Sequence, residues 1–490
     1  MSGAAGRASG SQGSPAGPAL VAVDLGAESC RVSLLEWQRG QPRIAIVHRF
    51  ANAPLDLGRA GLRWDLDHIC QELEAGLRSC AERAPEGIAA IGVTGWGVDY
   101  VRLNSSGRPI EPPFCYRDPR ATAGLQAAHA LLSAEQLYAK TGVQVQPINT
   151  VYQLCADKLA GAPPAPWVML PEYILHWLGA PRFAEYTNAT HTALIDPDTR
   201  AWSDGIFSAL GLDRSFAPQL VATGAALGPL RPDLRRLPAF AHTQLIAPAC
   251  HDTASAVAGI PSPAGDWAYI SSGTWSLVGM VLPAAHRTPA ALAANFTNLG
   301  AAGGGVLFHS GLAGMWLLRQ CLNAWKTDRA WDVGELVAAA QALPPPDAVL
   351  DLDDPAFVLP GDMPARINAQ RARQGLTPLP EGSAAAPHYA NLLFHSLASR
   401  YKALIGKITE LAERWPQRIC VVGGGSRNEY LNALTRHATG LPVERCSVES
   451  STLGSFAVQW ARIGQGTSGE VSAVQIAARA RQLAQTIVDC

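Results

Sequence analysis

Near its start the chain carries a run of β-forming residues, Leu20-Val21-Ala22-Val23-Asp24, which passes a short loop at Gly26 into a second run, Arg31-Val32-Ser33-Leu34-Leu35. Trp267 to Gly279 repeats the plan around Ser271-Ser272-Gly273-Thr274. Apolar and β-branched residues on both sides of a short polar loop predict a hairpin at each place. The runs share no sequence identity, yet the same plan recurring about 250 residues on predicts two similarly built halves, joined near Gly259 to Gly265. Two such halves need a long chain. The 490 residues present are roughly three times the length of one ordinary domain.

Other segments fill in the class. After Ile88 to Thr94 a second hairpin is expected, with Val98-Asp99-Tyr100-Val101 turning at Ser105-Ser106-Gly107. The Ala- and Leu-rich stretch from 122 to 141 predicts one helix stopped by Gly142. Leu393, Leu397, Tyr401, Leu404, Ile408 and Leu411 recur at spacings of four and three, one face of a long helix. Arg418 to Val422 then predicts a strand, Gly423-Gly424-Gly425 a tight loop, and Asn428 to His437 a helix closed by Gly440. This alternation belongs to α/β proteins. Pro344-Pro345-Pro346 marks a rigid surface loop.

Composition excludes several functions. Lys+Arg number 39 against 40 Asp+Glu, so no dominant field draws the chain to nucleic acid or a membrane surface. The ten cysteines never form Cys-x-x-Cys, which leaves free thiols rather than a zinc site or a disulfide scaffold. Met1 to Pro18 is rich in Gly, Ala and Ser, a poor signal peptide and a good disordered tail. No apolar run reaches the roughly 20 residues that span a bilayer. A cytoplasmic enzyme is the default reading.

No Walker A loop, G-x-G-x-x-G, kinase catalytic loop or nucleophile elbow is present. Phosphate could instead be cradled by glycine loops at Gly26 to Arg31, Ser271 to Thr274 and Gly423 to Gly425, each of which also reads as an ordinary tight turn. Asp24 ends an apolar strand, where a carboxylate either caps a turn or holds the water shell of Mg2+. Asp252, in His251-Asp252-Thr253, is either a helix cap or a general base for a hydroxyl attacking phosphate. His251 alone reads more readily as structural. Gly92 to Asp99, with Trp96 and Asp99, combines backbone approach, an aromatic face and a carboxylate that suit a polyhydroxylated ligand, though Trp96 reads equally as core.

Taken in order, these motifs resemble the FGGY carbohydrate-kinase family, and within it the rhamnulokinases. The resemblance is carried by Val21 to Val32, Trp96-Gly97-Val98-Asp99, Tyr116 to Arg120, Asn149 to Leu154, Glu185 to Thr190, His251 to Val257, Ser271 to Leu277, Phe296-Thr297-Asn298, Gly423 to Asn428 and Leu453-Gly454. It implies a two-domain, ribonuclease H-like, actin-like ATPase fold with an interdomain active-site cleft. The expected domains are a tail over 1–18, a sugar-binding N-terminal domain over 19–259, an ATP-binding C-terminal domain over 260–465 and an extension over 466–490. By motif, Asp252 is the base; Gly97, His251, Asp252 and Thr253 contact sugar; Ala27, Glu28, Ser29, Cys30, Arg31, Thr274 and Gly424 contact ATP. Asp24 is expected beside Mg2+. The implied reaction moves the γ-phosphate of Mg-ATP to the 1-hydroxyl of L-rhamnulose, with a small-molecule ketose and ATP as partners and no nucleic acid or membrane.

Four positions depart from the family pattern. Glu28 and Cys30 replace Ser and Gly of its usual Ala-Ser-Ser-Gly-Arg loop, Gly311 stands where some rhamnulokinases have a sugar-contacting Asn, and Arg319 where they have a nucleotide-side Gln. L-Fuculose or xylulose is therefore a rival substrate, and an inactive actin-like sugar sensor is a rival of another class.

Overall fold

The apolar runs form the hairpins their patterning predicts, Ala19–Leu25 against Ser29–Gln38 and Trp267–Ser272 against Trp275–Leu282, both antiparallel. Each hairpin lies inside a mixed sheet of the computed structural model, which describes residues 17–484 apart from 264, 358–360 and 465–469, together with 487–489. The predicted tail falls almost wholly outside the described residues. In the first sheet the order is Ala226–Pro229, Gln244–Ile246, Ile88–Gly95, Ala19–Leu25, Ser29–Gln38, Gln41–Ala51 and Ile487–Asp489. In the second it is Thr297–Gly300, Val306–Ala313, Trp275–Leu282, Trp267–Ser272, Arg418–Val422 and Val443–Arg445. In both sheets the hairpin's first strand also pairs in parallel, with Ile88–Gly95 and with Arg418–Val422 respectively.

Side-chain alternation gives each sheet two covered faces. Val21, Val23 and Leu25 enter a core with Ile69 and Leu73 of the helix Leu66–Arg83. Leu20 and Ala22 face the other way, onto Leu453, Phe456 and Val458 of the helix Ser450–Ile463. That helix follows the second sheet in sequence but packs on the first, and Ile487–Asp489 then adds a parallel strand at the first sheet's edge. In the second half, Leu393, Leu397, Tyr401, Leu404 and Ile408 of the helix Ala386–Ala412 are buried against Ile270, Val278 and Ile419. The predicted strand, glycine loop and helix from Arg418 onward are all present, with Asn428 capping the helix and Gly440 ending it in the left-handed region.

One expectation is met only in shortened form and one fails. The hairpin turning at Ser105-Ser106-Gly107 is short: Asn104 Oδ1 accepts from the backbone of Ser106 and Arg108, Asn104 N donates to the Arg108 carbonyl at 2.8 Å, Ile110 N donates to the Arg102 carbonyl at 2.9 Å, and Leu103 bridges Pro109. Tyr100–Arg102 also pairs with Trp167–Met169 in a separate small sheet. The chain leaves the large sheet after Gly95 and bends at Val98, whose φ is 70° and whose carbonyl accepts from Thr150 Oγ1 and Gln153 Nε2. The helix expected over 122–141 is two, Arg120–His129 and Ala134–Thr141, because Ser133 and Gln136 form a capping box that starts the second. Gly142 stops it, as predicted.

Candidate active site

The C-terminal ends of the parallel strands Ala19–Leu25 and Ile88–Gly95 bring the expected catalytic groups together. Asp24 lies beside Thr94, and Leu25 beside Gly95. Thr94 Oγ1 donates to the Ala249 carbonyl, and Gly95 N donates to that of Cys250. The segment Cys250-His251-Asp252 is thereby laid along the strand ends. Asp252 opens the helix Asp252–Ala258, with His251 at the cap position. The cap reading of Asp252 is thus replaced by a place in the first turn, where its Oδ1 accepts from Thr253 N at 2.5 Å and Thr253 Oγ1 at 3.2 Å. The small residues that follow allow this helix to cross Ser450–Ile463 closely: Ser255 Oγ donates to the Ser451 carbonyl, and a Cβ at Gly259 would meet the Ser450 carbonyl oxygen.

Desolvation, and after it the charge of Asp24, pushes the Asp252 carboxyl up to about 7. With 39% of its side chain open, water works against this shift. A carboxylate with a pKa near 7 suits general-base work at neutral pH. Behind it lie three buried histidines. His191 Nε2 is 2.9 Å from His251 Nε2, and Tyr269 OH is 2.9 Å from His309 Nδ1. Burial holds His251 and His309 down at about 3 and His191 well below its ordinary value. The rings are neutral, so the 3.2 Å approach of His251 Nε2 to Asp252 Oδ1 is no ion pair. Neutral imidazoles both donate and accept, which matches sugar hydroxyls.

Gly97 borders this group: a Cβ there would stand 2.9 Å from the His191 ring. Asp99, by contrast, has no oxygen to spare for a ligand. Its fully buried carboxylate accepts from Trp64 Nε1 at 2.6 Å, Trp96 Nε1 at 2.9 Å, Tyr116 N at 3.2 Å and Gln153 Nε2 at 3.2 Å. Trp96 is core, its ring 4.5 Å from that of Trp64 and tilted 45° to it. His191 and His309 escaped the sequence reading, because a lone histidine carries no local signal of what it will face.

On the phosphate side, Ala27, Ser29 and Arg31 are partly exposed and Glu28 exposed, whereas the Cys30 thiol is buried and donates to the Gly26 carbonyl at 3.6 Å. Only the backbone of Cys30 can face a ligand. Arg31 pairs with Asp24 at 3.3 Å and with Glu449. From the second half, Gly423, with φ of 83°, passes so close to Ser272 that a Cβ would stand 2.8 Å from its carbonyl oxygen. The loops holding Thr274 and Gly424 therefore sit side by side, and around Gly424 a Cβ would meet only open space. Among the described residues no three His, Cys, Asp or Glu side chains are grouped to hold a metal. Asp24 Oδ2 is already engaged by Ser451 Oγ at 2.5 Å. These donors fit Mg2+ only as an ion carried largely by phosphate, with Asp24 at its periphery.

Solved kinases share this arrangement of two halves. A ligand-bound xylulose kinase from Lactobacillus acidophilus superposes with a TM-score of 0.76 at 15% identity, covering 96% of this chain and 93% of its own. A Plasmodium falciparum glycerol kinase with ADP superposes at 0.73 and 13% identity, covering 96% and 94%. The fold is the two-domain, actin-like α/β fold of sugar kinases, and the chain is a phosphotransferase of that class. Residues 19–259 match the N-terminal domain of the FGGY family of carbohydrate kinases, and residues 268–462 match the C-terminal domain. A rhamnulokinase of Bacteroides thetaiotaomicron is 32% identical over 458 residues, 91% of each chain. One of Pectobacterium atrosepticum is 35% identical over 459 residues, 91% of this chain and 89% of its own. The chain belongs to the FGGY family of carbohydrate kinases.

Proposed function

We propose that the chain transfers the γ-phosphate of Mg-ATP to the 1-hydroxyl of L-rhamnulose, with Asp252 as base. The observation carrying this reading is the placement of Asp252, its carboxyl raised to about 7, between neutral His251 and the strand end bearing Asp24. The likeness to rhamnulokinases over 91% of the chain supports the choice of sugar. Gly97, His251 and Thr253 hold the ketose, and Asp252 orients the attacking hydroxyl and takes its proton as the bond to phosphorus forms. Ala27 to Arg31, Thr274 and Gly424 receive the nucleotide. Mg2+ would neutralise charge on the phosphates, with Asp24 meeting its water shell. Drawing the halves together excludes water, the competing nucleophile.

Release of ADP across a panel of ketoses tests the reading. The fastest turnover is expected with L-rhamnulose. A faster L-fuculose or xylulose reaction would reassign the sugar, and no release with any ketose would favour the sensor. Gly311 keeps the rival sugars in play. It shares its strand face with His309, two residues earlier in Val306–Ala313, and brings no side-chain amide to that face.

A further inference from the structure

Two of the departures from the family pattern meet each other. Glu28, in the first glycine loop, and Arg319, in the helix Trp316–Ala324, form a two-pronged pair with Nη1–Oε2 at 2.6 Å and Nη2–Oε1 at 2.7 Å. Each partner is fastened to a candidate phosphate loop. Asn52 N donates to the Glu28 carbonyl at 3.0 Å, and Asn52 Nδ2 donates to the Gly26 carbonyl at 3.0 Å. On the other side Met315 N and Trp316 N donate to the carbonyls of Gly273 and Thr274 at 3.1 and 3.0 Å. Arg319 N then donates to Met315, so the arginine rises one turn above the second loop. The pair therefore bridges the two halves at the place where both loops open.

We propose that this pair is a nucleotide-opened latch: Arg319 leaves the Glu28 carboxylate for the terminal phosphates of the nucleotide, and Glu28 holds the guanidinium in place until they arrive. The proposal rests on the kinase reading and deepens it. With side chains 48% and 41% exposed, the pair is solvated and weak. A polyphosphate carries more charge than one carboxylate and offers the same planar fork geometry, so it outcompetes Glu28 for the guanidinium. Until then the Glu28 carboxylate repels the incoming phosphates and ties up their cation. A fixed strut between the halves would make a different prediction, because losing either partner would then have the same consequence.

Calorimetric titration of the full chain with Mg2+ and the β,γ-imido analogue of ATP, without sugar, separates the two. Glu28→Gln is expected to tighten analogue binding about two- to fivefold by removing the competing carboxylate. Arg319→Gln is expected to weaken it by about tenfold through loss of a charge-assisted bond to phosphate. In turnover, Glu28→Gln lowers KM for ATP and leaves kcat no higher. Thermal unfolding establishes that both variants fold, and Arg319→Lys, which keeps the charge without the fork, is expected between wild type and Arg319→Gln. Shifts of the same sign for Glu28→Gln and Arg319→Gln, or no shift in either, overturn the latch. A wild-type chain that binds the analogue but releases no ADP with any ketose would instead refute the kinase reading, and the two variants would still decide the latch.

Discussion

The backbone N–H of Cys250 donates to the buried carboxylate of Glu185 at 3.0 Å. That bond ties the segment leading into Asp252 to a fixed point. The same Oε2 accepts from Thr187 N at 3.0 Å and Thr187 Oγ1 at 2.5 Å, while Oε1 accepts from Thr223 Oγ1 at 2.5 Å. Glu185→Gln turns one acceptor oxygen into a donor facing donors, at a cost of about 1–3 kcal/mol for each buried group left unpaired. Urea unfolding should show that loss, and kcat should fall with it as Cys250-His251-Asp252 shifts. Unchanged stability would remove Glu185 from the support of the site.

A second carboxyl lies against the first: Glu172 Oε1 accepts from Glu185 N at 3.2 Å and its Oε2 from Asn188 Nδ2 at 2.8 Å. Burial, and after it the charge of Glu185, pushes Glu172 up to about 8. The folded state thus holds a proton that the unfolded chain releases near pH 4.5. Its contribution to stability is fully present below that pH and is lost as pH rises toward 8, on the order of a few kcal/mol in all. Glu172→Gln, a neutral isostere, should flatten stability across this window. A variant whose unfolding free energy keeps the wild-type pH slope would show that Glu172 is not the group responsible.

Patterning made the two hairpins, the long helix Ala386–Ala412 and the strand, loop and helix after Arg418 legible, since each rests on local periodicity, a cap or a glycine. The small sheet that Tyr100–Arg102 joins was not legible, because Trp167–Met169 comes from a distant segment. The break at Ser133 was visible in principle as Ser-x-x-Gln, but the helix-forming residues around it masked the stop. At the site, Asp252 and the glycine loops carried signatures of their own. His191 and His309 did not, and what Glu185 and Arg319 touch was not legible either, because each acquires its meaning only from a partner remote in sequence. Asp99 misled for the same reason: besides its neighbour Trp96, its carboxylate is taken up by Trp64 and Gln153, which nothing near it announces.

Asp24→Asn tests the metal role. Asparagine keeps an acceptor for Ser451 Oγ, which bonds Oδ2 at 2.5 Å, so the fold should stand. What it loses is the charge that would meet Mg2+ and pair with Arg31. ADP release against Mg2+ concentration should then saturate about tenfold higher, as expected for one lost interaction of about 1.4 kcal/mol. An unchanged Mg2+ titration at an unchanged rate would leave Asp24 as a partner for Arg31 and Ser451 only, without a metal role.

Gly311→Asn restores a side-chain amide on the strand face shared with His309. A Cβ at this position would stand 2.9 Å from Leu277 Cδ2, the flexible end of a side chain that can yield. A hydrogen bond built into a site discriminates strongly among substrates that differ by a hydroxyl. The variant should therefore sharpen the preference for L-rhamnulose over other ketoses in relative kcat/KM. Equal ratios before and after substitution would mean that residue 311 does not face the sugar.

Asp252 offers the most direct test of the chemistry. As a base it must be ionised, so kcat/KM should rise with pH up to about 7, the value to which burial and the charge of Asp24 push its carboxyl, and then level off. Asp24→Asn removes that neighbouring charge and leaves Arg31, which acts in the opposite direction, so the limb should move to lower pH. His251 does not titrate in this range, since burial keeps it near 3. Asp252→Asn should lower kcat by roughly 10²–10⁴-fold while nucleotide binding is nearly preserved. A purely structural role predicts otherwise: the side chain accepts from Thr253 N in the first helical turn, and Asn would serve there almost as well. A folded Asp252→Asn protein that turns over its best ketose at a near-normal rate would remove Asp252 as the base.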